Sequence, residues 1–327
     1  MQSDTTDAGR REFLLRVLRL GGAGAATLGA GAWLRGRSER PSEPAVIAAE
    51  RRAGVPGDPS LPEMVVVQGG EPASMARAAL DGLGGIRRFV ARGDVVVVKP
   101  NIGWDRPPEQ AANTHPALVA AVVGLCRDAG AARVVVTDVS CNDARLCFER
   151  SGIAAAARGA GADLVLPDDR RFRQANLGGE VLTAWPVLEP FLNADKFINL
   201  PIAKHHDLTG CTLGMKNLYG ILGGQRSRLH QRIHESLADL LAFARPTLTI
   251  LDAYRVLMRN GPTGGSLADV ELRKTLLAGT DPVALDAYAA KAWWDLDARR
   301  LPFLRLAQAR GLGRMDFEQV RTRLITV

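Results

Sequence analysis

Four consecutive valines, Val95–Val98, stand between Asp94 and Lys99. A strand with one face in water alternates apolar and polar residues, and this run does not alternate. An unbroken run of β-branched residues is instead typical of a strand that is covered on both faces, as the strands of parallel sheets are. The chain must therefore supply helices for both sides of a sheet.

Strand-like apolar runs alternate with segments of helical spacing along most of the chain. Besides Asp94–Lys99, the predicted strands are Met64–Gln68, Ala132–Thr137, Asp163–Leu166, Lys196–Leu200, Thr247–Leu251 and Leu272–Ala278. The predicted helices are Pro72–Val90, Thr114–Asp128 with Thr114 as N-cap, Asp143–Gly159, Leu208–Tyr219, His230–Phe243 and Asp281–Trp293. This alternation predicts an α/β fold with a mostly parallel sheet and helices on both faces. Two α/β lobes are an alternative arrangement of the same elements.

The N-terminal part is predicted to lie outside this fold. Arg10-Arg11-Glu12-Phe13-Leu14 resembles the twin-arginine export motif, and an uncharged segment, 20–34, follows it. That segment is shorter than the ~20 apolar residues of a spanning helix and is typical of a signal peptide. We therefore predict a signal or anchor segment over 1–35, a Pro-rich linker over 36–62 and the α/β domain over 63–327.

The twin-arginine resemblance implies recognition by the Tat export machinery and a periplasmic or exported location. The N-terminal segment would be either cleaved or retained as a membrane anchor. A cytoplasmic amphipathic helix is the alternative for this stretch.

The charge distribution gives no sign of a nucleic-acid partner. The formal net charge is +7, but residues 1–40 carry seven arginines and four acidic residues. The remaining excess is small and scattered, and aromatic residues make up only 5% of the chain. A nucleic-acid surface needs clustered basic residues and stacking aromatics, so we predict none here.

Lysine is scarce in this chain. Only six of the 42 basic residues are lysine: Lys99, Lys196, Lys204, Lys216, Lys274 and Lys291. The chain uses arginine wherever a solvated positive charge is sufficient. The few lysines therefore occur either by chance or because their positions need a compact ammonium group with a tunable pKa. Three of the six, Lys99, Lys204 and Lys216, lie in or beside polar loops.

The densest group of binding and proton-transferring side chains lies between Asn199 and Gly220. This stretch follows the predicted strand Lys196–Leu200, and open α/β sheets place their sites at the carboxyl ends of strands. Asn101, Asp138 and Asp252 stand at the ends of other predicted strands. If the sheet is parallel, these strand ends share one rim and converge.

Several segments occur in the same order in one known family. They are Lys99–Asn101, Thr114–Pro116, Gly130–Asp138, Ala194–Pro201, Lys204, His206, Thr212, Lys216–Gly220, His230, Pro246 with Leu248–Asp252, Gly261-Pro262 and Asp281–Asp286. On these residues the chain resembles DUF362, a domain of unknown function, over roughly 94–292.

This chain departs from the family pattern at two places. Ile202 stands where the family usually has a lysine, and Lys204-His205-His206 stands where it usually has Lys-Thr-His. The resemblance therefore favours His206 over His205. Relatives also occur beside ferredoxin-type iron–sulfur modules, which implies a redox partner protein as one option. The family's activity is undefined, so the resemblance leaves the reaction open.

We predict a pocket for a small anionic ligand, a carboxylate or a phosphate. The candidates for catalysis by proton transfer are Lys204, His206 and Lys216. The candidates for ligand binding are Lys99, Asn101, His115, Thr209, Thr212, Asn217 and Asp252. The predicted helix opening near Thr209 would add its positive end. Alternatively, Lys99 and Lys216 form buried ion pairs with Asp138, Asp252 or Asp281.

A metal ion is the alternative ligand, since His205 and His206 are adjacent. Nothing in the sequence shows the further ligands, for which His115, Asp138, Asp252 and Cys211 are the candidates. If no metal is bound, one histidine forms a hydrogen bond with the loop and the other is solvated. Cys126, Cys141, Cys147 and Cys211 form no Cys-x-x-Cys motif, so their spacing excludes a ferredoxin-type cluster. Cys141 and Cys147 could pair in an oxidising compartment, and Cys211 is the thiol expected nearest the site. The sequence does not identify a cofactor.

Two classes of function are consistent with these residues. One is an exported enzyme that acts on a small anionic substrate by proton transfer. The other is a non-enzymatic accessory protein that binds an anion, a metal ion or a cofactor for a redox system.

Overall fold

A computed structural model describes residues 47–48, as backbone, and residues 54–327. The predicted signal segment, 1–35, and most of the predicted linker lie outside the described residues. Within the described part, no helix has both the length and the apolar character that crossing a membrane requires.

Thirteen strands occur within the described residues, and ten of them form one large sheet. They are β1 Ile47–Ala48, β2 Met64–Gln68, β3 Val95–Pro100, β4 Arg133–Val136, β5 Asp163–Leu164, β6 Phe172–Asn176, β7 Ala184–Leu188, β8 Lys196–Leu200, β9 Ile202–His206, β10 Gly210–Thr212, β11 Leu248–Leu257, β12 Val270–Gly279 and β13 Thr322–Thr326. The order in the large sheet is β13-β2-β12-β11-β8-β3-β4-β5, with β9 beside β11 and β10 beside β9. Strands β1, β6 and β7 form a separate small sheet.

The large sheet is mostly parallel, as predicted. Strands β11, β8, β3, β4 and β5 run parallel, and β13 is parallel to β2. Strand β12 is antiparallel to both of its neighbours, β11 and β2. These elements belong to one compact unit, Val46–Val327, rather than to two lobes.

Helices cover both faces of the sheet. They are α1 Pro72–Gly82, α2 Pro116–Asp128, α3 Ala144–Arg150, α4 Ile153–Gly159, α5 Pro190–Asn193, α6 Gly214–Asn217, α7 Ile233–Ala244, α8 Pro282–Trp294 and α9 Pro302–Ala309. Val96 and Val98 pack into one hydrophobic core with α1 and α2. Val97 packs into the opposite core with α7 and α8. The valine run is therefore buried on both sides, which confirms the prediction made from its lack of alternation.

The predicted helix Leu208–Tyr219 is wrong in its first half. Strands β9 and β10 form an antiparallel hairpin there, in which His206 pairs with Gly210. Gly210 has φ 75°, a left-handed conformation that favours glycine and closes the turn. The helix begins only at Gly214, so no helix N-terminus lies near Thr209.

Other helix boundaries also differ from the prediction. The predicted helix Pro72–Val90 ends at Gly82, and the helix predicted to begin at His230 begins at Ile233. The N-cap of α2 is His115 rather than Thr114, and its Nδ1 accepts a hydrogen bond from the Ala117 N–H at 3.2 Å. The predicted single helix Asp143–Gly159 is two helices, α3 and α4. Gly152, with φ 73°, breaks it, because a left-handed residue cannot continue a right-handed helix.

Candidate functional site

A cavity of about 190 Å³ opens beside the carboxyl end of β3, between the β9–β10 hairpin and α6. Seven of the residues predicted for the site line it: Lys99, Asn101, Lys204, His206, Thr212, Lys216 and Asn217. Four predicted residues lie outside its lining: His115, His205, Thr209 and Asp252. The convergence of strand ends that the sequence suggested is therefore found for β3, for β4 through Asp138 and for the hairpin after β8, but not for Asp252.

Strand β9 places the side chains of the two adjacent histidines on opposite faces. Successive side chains of a strand point to opposite faces, so Lys204 and His206 share the face that lines the cavity. His205 points the other way, and its Nδ1 accepts the Gly261 N–H at 3.3 Å. The two rings do not converge on one point. Across residues 54–327, no group of three or more His, Cys, Asp or Glu side chains is arranged to hold a metal ion.

Lys99 is buried in the wall of the cavity and forms an ion pair with Asp138. Its Nζ lies 2.7 Å from Asp138 Oδ1, and it also donates to Asn217 Oδ1 at 3.1 Å and to the Pro100 carbonyl at 3.2 Å. Burial lowers the pKa of Lys99, and the Asp138 carboxylate opposes that shift. The three acceptors match its three N–H donors, so the ion-pair alternative is the arrangement found for Lys99.

Gly220 allows this ion pair to form. Its carbonyl accepts the Val139 N–H at 2.9 Å, which brings the chain close to the ends of β3 and β4. A Cβ atom on Gly220 would overlap the Asp138 carboxylate and would lie 2.6 Å from Lys99 Nζ. Glycine is required here for close approach, and this is why the polar segment after Lys216 ends in one.

A chain of asparagines connects Lys99 to Lys204. Asn217 Nδ2 donates to Asn199 Oδ1 at 2.8 Å, and Asn217 Oδ1 accepts from Asn101 Nδ2 at 3.0 Å. Asn101 Oδ1 then accepts from Lys204 Nζ at 3.0 Å. Each amide uses both its donor and its acceptor, so the orientation of every member is fixed by the next.

Lys204 is buried and has no carboxylate partner within the described residues. Its Nζ donates to the Ala112 carbonyl at 2.6 Å and to Asn101, which leaves one N–H unused. Burial lowers the pKa of Lys204 to about 7, and the neighbouring ammonium groups of Lys216 and Lys99 act in the same direction. Lys204 therefore changes its charge near neutral pH.

Lys216 lies on α6 and differs from the other two lysines. Its Nζ lies 4.3 Å from the centroid of the Tyr219 ring, a cation–π contact. No hydrogen-bond acceptor or carboxylate contacts this Nζ in the described part of the chain, so the ion-pair alternative does not hold for it. Burial lowers the pKa of Lys216 to about 8, and the Arg226 guanidinium adds to this shift.

His206 is a neutral donor. Its Nδ1 accepts the Leu208 N–H at 3.1 Å, so the ring proton is on Nε2. Burial lowers the pKa of His206 to about 3, with Lys216 and Lys204 as further causes. At neutral pH the ring therefore supplies one N–H donor to the cavity and no positive charge.

Asp252 and His115 form a structural contact away from the cavity. Strand β11 continues past Asp252, which is thus not a strand end as predicted. Its carboxylate accepts the backbone N–H groups of His115 at 2.7 Å and of Tyr254 at 2.9 Å. Burial raises the pKa of Asp252 to about 6. Thr209 is also occupied locally, because its hydroxyl donates to the Cys211 carbonyl at 2.9 Å.

Other side chains that the sequence did not single out for ligand contact also line the cavity. They include Trp104, Cys141, Tyr219, Arg226 and His230. Arg226 donates to the carbonyls of Val139 at 2.8 Å and Ser140 at 2.7 Å, which joins its loop to the end of β4. This contact is long-range, so no local pattern could have indicated it.

All four cysteines are free. Cys141 and Cys147 do not form the disulfide considered from the sequence. Cys211, which we expected nearest the site, is buried outside the cavity lining, whereas Cys141 is exposed and lines it. Position in a polar segment was thus a poor guide to which thiol lines the cavity.

Two solved structures resemble the fold at 11% sequence identity. The lactate racemase apoprotein from Thermoanaerobacterium thermosaccharolyticum matches with a TM-score of 0.45 over 74% of this chain and 60% of that one. A Thermotoga maritima protein matches with a TM-score of 0.39 over 73% of this chain and 60% of that one. The chain thus spans about 60% of the length of both. These likenesses concern the α/β fold alone.

Sequence comparison gives a more specific relationship. The thylakoid-associated protein sll1697 of Synechocystis sp. is 28% identical over 254 residues, which cover 75% of this chain and 77% of that protein. The family model of the domain of unknown function DUF362 matches residues 96–291, which include every residue that lines the cavity. Because this match covers more than half of the chain, the protein belongs to the DUF362 family.

Proposed function

We propose that the cavity binds a small anion that carries a carboxylate or a phosphate group. The observation that supports this is the pair Lys204 and Lys216, which line one cavity and have no carboxylate partner among residues 54–327. Asp138, the carboxylate in the lining, is already paired with Lys99. A buried positive charge without a counter-charge is costly, and a bound anion removes that cost.

The donors of the cavity suit such a ligand. Lys204 has one unused N–H, Lys216 has its whole ammonium group, and His206 offers Nε2–H. The Thr212 hydroxyl adds a fourth donor in the same lining. In this proposal Lys99 shapes the wall and does not contact the ligand, because its three N–H groups are used by the protein.

Proton transfer, where it occurs, is assigned to a lysine in this proposal. A group that exchanges protons efficiently has a pKa near the working pH. The pKa of about 7 for Lys204 and of about 8 for Lys216 meet this condition, whereas His206 at about 3 does not. His206 instead holds the ligand by hydrogen bonding.

The proposal is tested by calorimetric titration of the protein with oxalate and with phosphate. We expect saturable binding, and Lys204→Met and Lys216→Met should each weaken it about 10- to 100-fold, as for the loss of a charged hydrogen bond of about 1.5–3 kcal/mol. Lys291→Met is the matched control, because Lys291 is exposed and pairs with Asp295 away from the cavity.

Equal weakening in Lys291→Met, or no binding of either anion, would contradict the proposal. Binding without turnover of any anionic substrate would be the result expected of an accessory protein rather than an enzyme. Thermal unfolding of each variant distinguishes lost binding from lost folding.

Export is proposed from the sequence motif at residues 10–14 and is independent of the anion site. We expect the full chain to be found in the periplasmic fraction, and Arg10→Lys with Arg11→Lys to retain it in the cytoplasm. Unchanged fractionation of that double variant would argue against a twin-arginine signal. A metal ion as ligand and a redox partner protein remain alternatives from the sequence.

A further inference from the structure

The three lysines of the cavity are held in three different ways. Lys99 has three acceptors, one of them the Asp138 carboxylate. Lys204 has two acceptors, Asn101 Oδ1 and the Ala112 carbonyl. Lys216 Nζ lies over the face of the Tyr219 ring, and within residues 54–327 nothing accepts a hydrogen bond from it. Among the three, Lys216 is the amine that no hydrogen bond to the protein holds in place, so its Nζ can move onto a carbonyl carbon without breaking one.

The position of this amine is well defined despite the lack of a partner at its tip. Helix α6 is held at its start by Asp286, which accepts the N–H groups of Gly214 at 2.7 Å and Met215 at 2.9 Å. Asn217, next to Lys216, is fixed in the asparagine chain. The backbone on both sides of Lys216 is therefore anchored, and the side chain lies against a rigid aromatic ring.

Nearby cations and partial burial favour the neutral amine. Lys216 is half-buried, and Arg226 and Lys204 line the same cavity. Lysines that are desolvated or crowded by other cations are the ones that act as nucleophiles toward carbonyl groups. The lowered pKa of Lys216, about 8, is consistent with this geometry.

We infer that Lys216 is a nucleophile that forms an imine with the carbonyl carbon of a small oxo acid, whose carboxylate lies on Lys204. This inference rests on the proposed function, since the carboxylate is the anion that the cavity binds. A volume of about 190 Å³ suits a ligand of a few heavy atoms and is below the ~300 Å³ at which drug-sized pockets begin.

The chemical step is balanced without an oxidant or reductant. The neutral Nζ of Lys216 adds to the carbonyl carbon, so that a C–N bond forms and the carbonyl oxygen takes a proton. The resulting carbinolamine then loses its hydroxyl group and the remaining proton on Nζ as water, which leaves a carbon–nitrogen double bond. His206 Nε2–H is a donor available to the oxygen while charge develops on it.

The test is reductive trapping on the full-length protein. The protein is incubated with pyruvate and sodium borohydride, and the products are analysed by intact mass and peptide mapping. We expect one reduced adduct per chain, on Lys216, and we expect oxalate to suppress it by competition. Lys216→Arg should abolish trapping, since the nucleophilic amine is lost. Lys291→Arg should behave as wild type.

The outcomes separate this inference from the proposed function. If oxalate binds but no adduct forms on Lys216, the imine inference is overturned and the anion site stands. If the adduct is spread equally over Lys196, Lys274 and Lys291, the reaction is nonspecific and the inference is also overturned. If oxalate does not bind and pyruvate is not trapped, both proposals are wrong.

Discussion

Asp138→Ala should reduce the free energy of unfolding by about 3–5 kcal/mol, which is the cost of removing one partner of a buried ion pair. The side chains of Lys99 and Asp138 are only 1% and 3% exposed, so the Lys99 ammonium would be left in the interior without a counter-charge. The substitution also removes the acceptor of the Ile102 N–H, which lies 2.6 Å from Asp138 Oδ2. Urea unfolding at pH 7 measures the difference.

The chain contains a matched control for this effect. Arg133 and Asp163 form an ion pair of the same length, 2.7 Å, but their side chains are 55% and 58% exposed. Asp163→Ala should therefore cost no more than about 1 kcal/mol. Lys99→Met combined with Asp138→Leu should recover most of the stability lost in Asp138→Ala, because no charge stays buried. Similar losses in Asp138→Ala and Asp163→Ala would show that burial does not decide the cost.

The fold was predictable from the sequence because it depends on local patterns. The β-branched run Val95–Val98 favours a strand covered on both sides, and the alternation of strands with helices restricts how the chain returns to the sheet. The predicted helix Asp281–Trp293 is found as α8, and the Asp281 carboxylate caps it by accepting the N–H groups of Val283 and Ala284.

The details of the site depend on long-range contacts and were less predictable. Strand β9 was missed because charged residues at 204–206 suggested a loop, whereas its pairing with β11 and β10 makes it a strand. That single difference decides that His205 and His206 face opposite ways. Asp252 was taken for a strand end because the apolar run stops there. Its role became visible only with His115, which is far away in sequence.

The affinity for oxalate should fall roughly a thousandfold between pH 6 and pH 9. The anion requires both ammonium groups, and the protonated fraction of each lysine falls tenfold per pH unit above its pKa. Lys204 loses its proton from about pH 7 and Lys216 from about pH 8. Oxalate keeps its charge across this range, so the change belongs to the protein. Calorimetric titrations at four or more pH values measure the slope.

Stability without a ligand should change in the opposite direction. The pKa of Lys204 is lower in the folded protein than its ordinary value of 10.5, so between about pH 7 and that value the unfolded chain binds more protons. Lys204 therefore makes the folded state more stable as pH rises through this window. The same change of charge weakens anion binding, and both trends should be reduced in Lys204→Met.

Four charged or titratable side chains act on the Lys204 ammonium: Asp138, Cys141, Lys216 and Lys99. Cys141→Ser removes the thiol and should leave the downward slope of oxalate affinity in place. Lys216→Met should remove the additional steepness that appears above about pH 8. The slope that Lys204 contributes from about pH 7 upward should be kept. An affinity that stays constant or rises with pH would mean that neutral groups recognise the ligand, and the two lysines would then lose their assigned role.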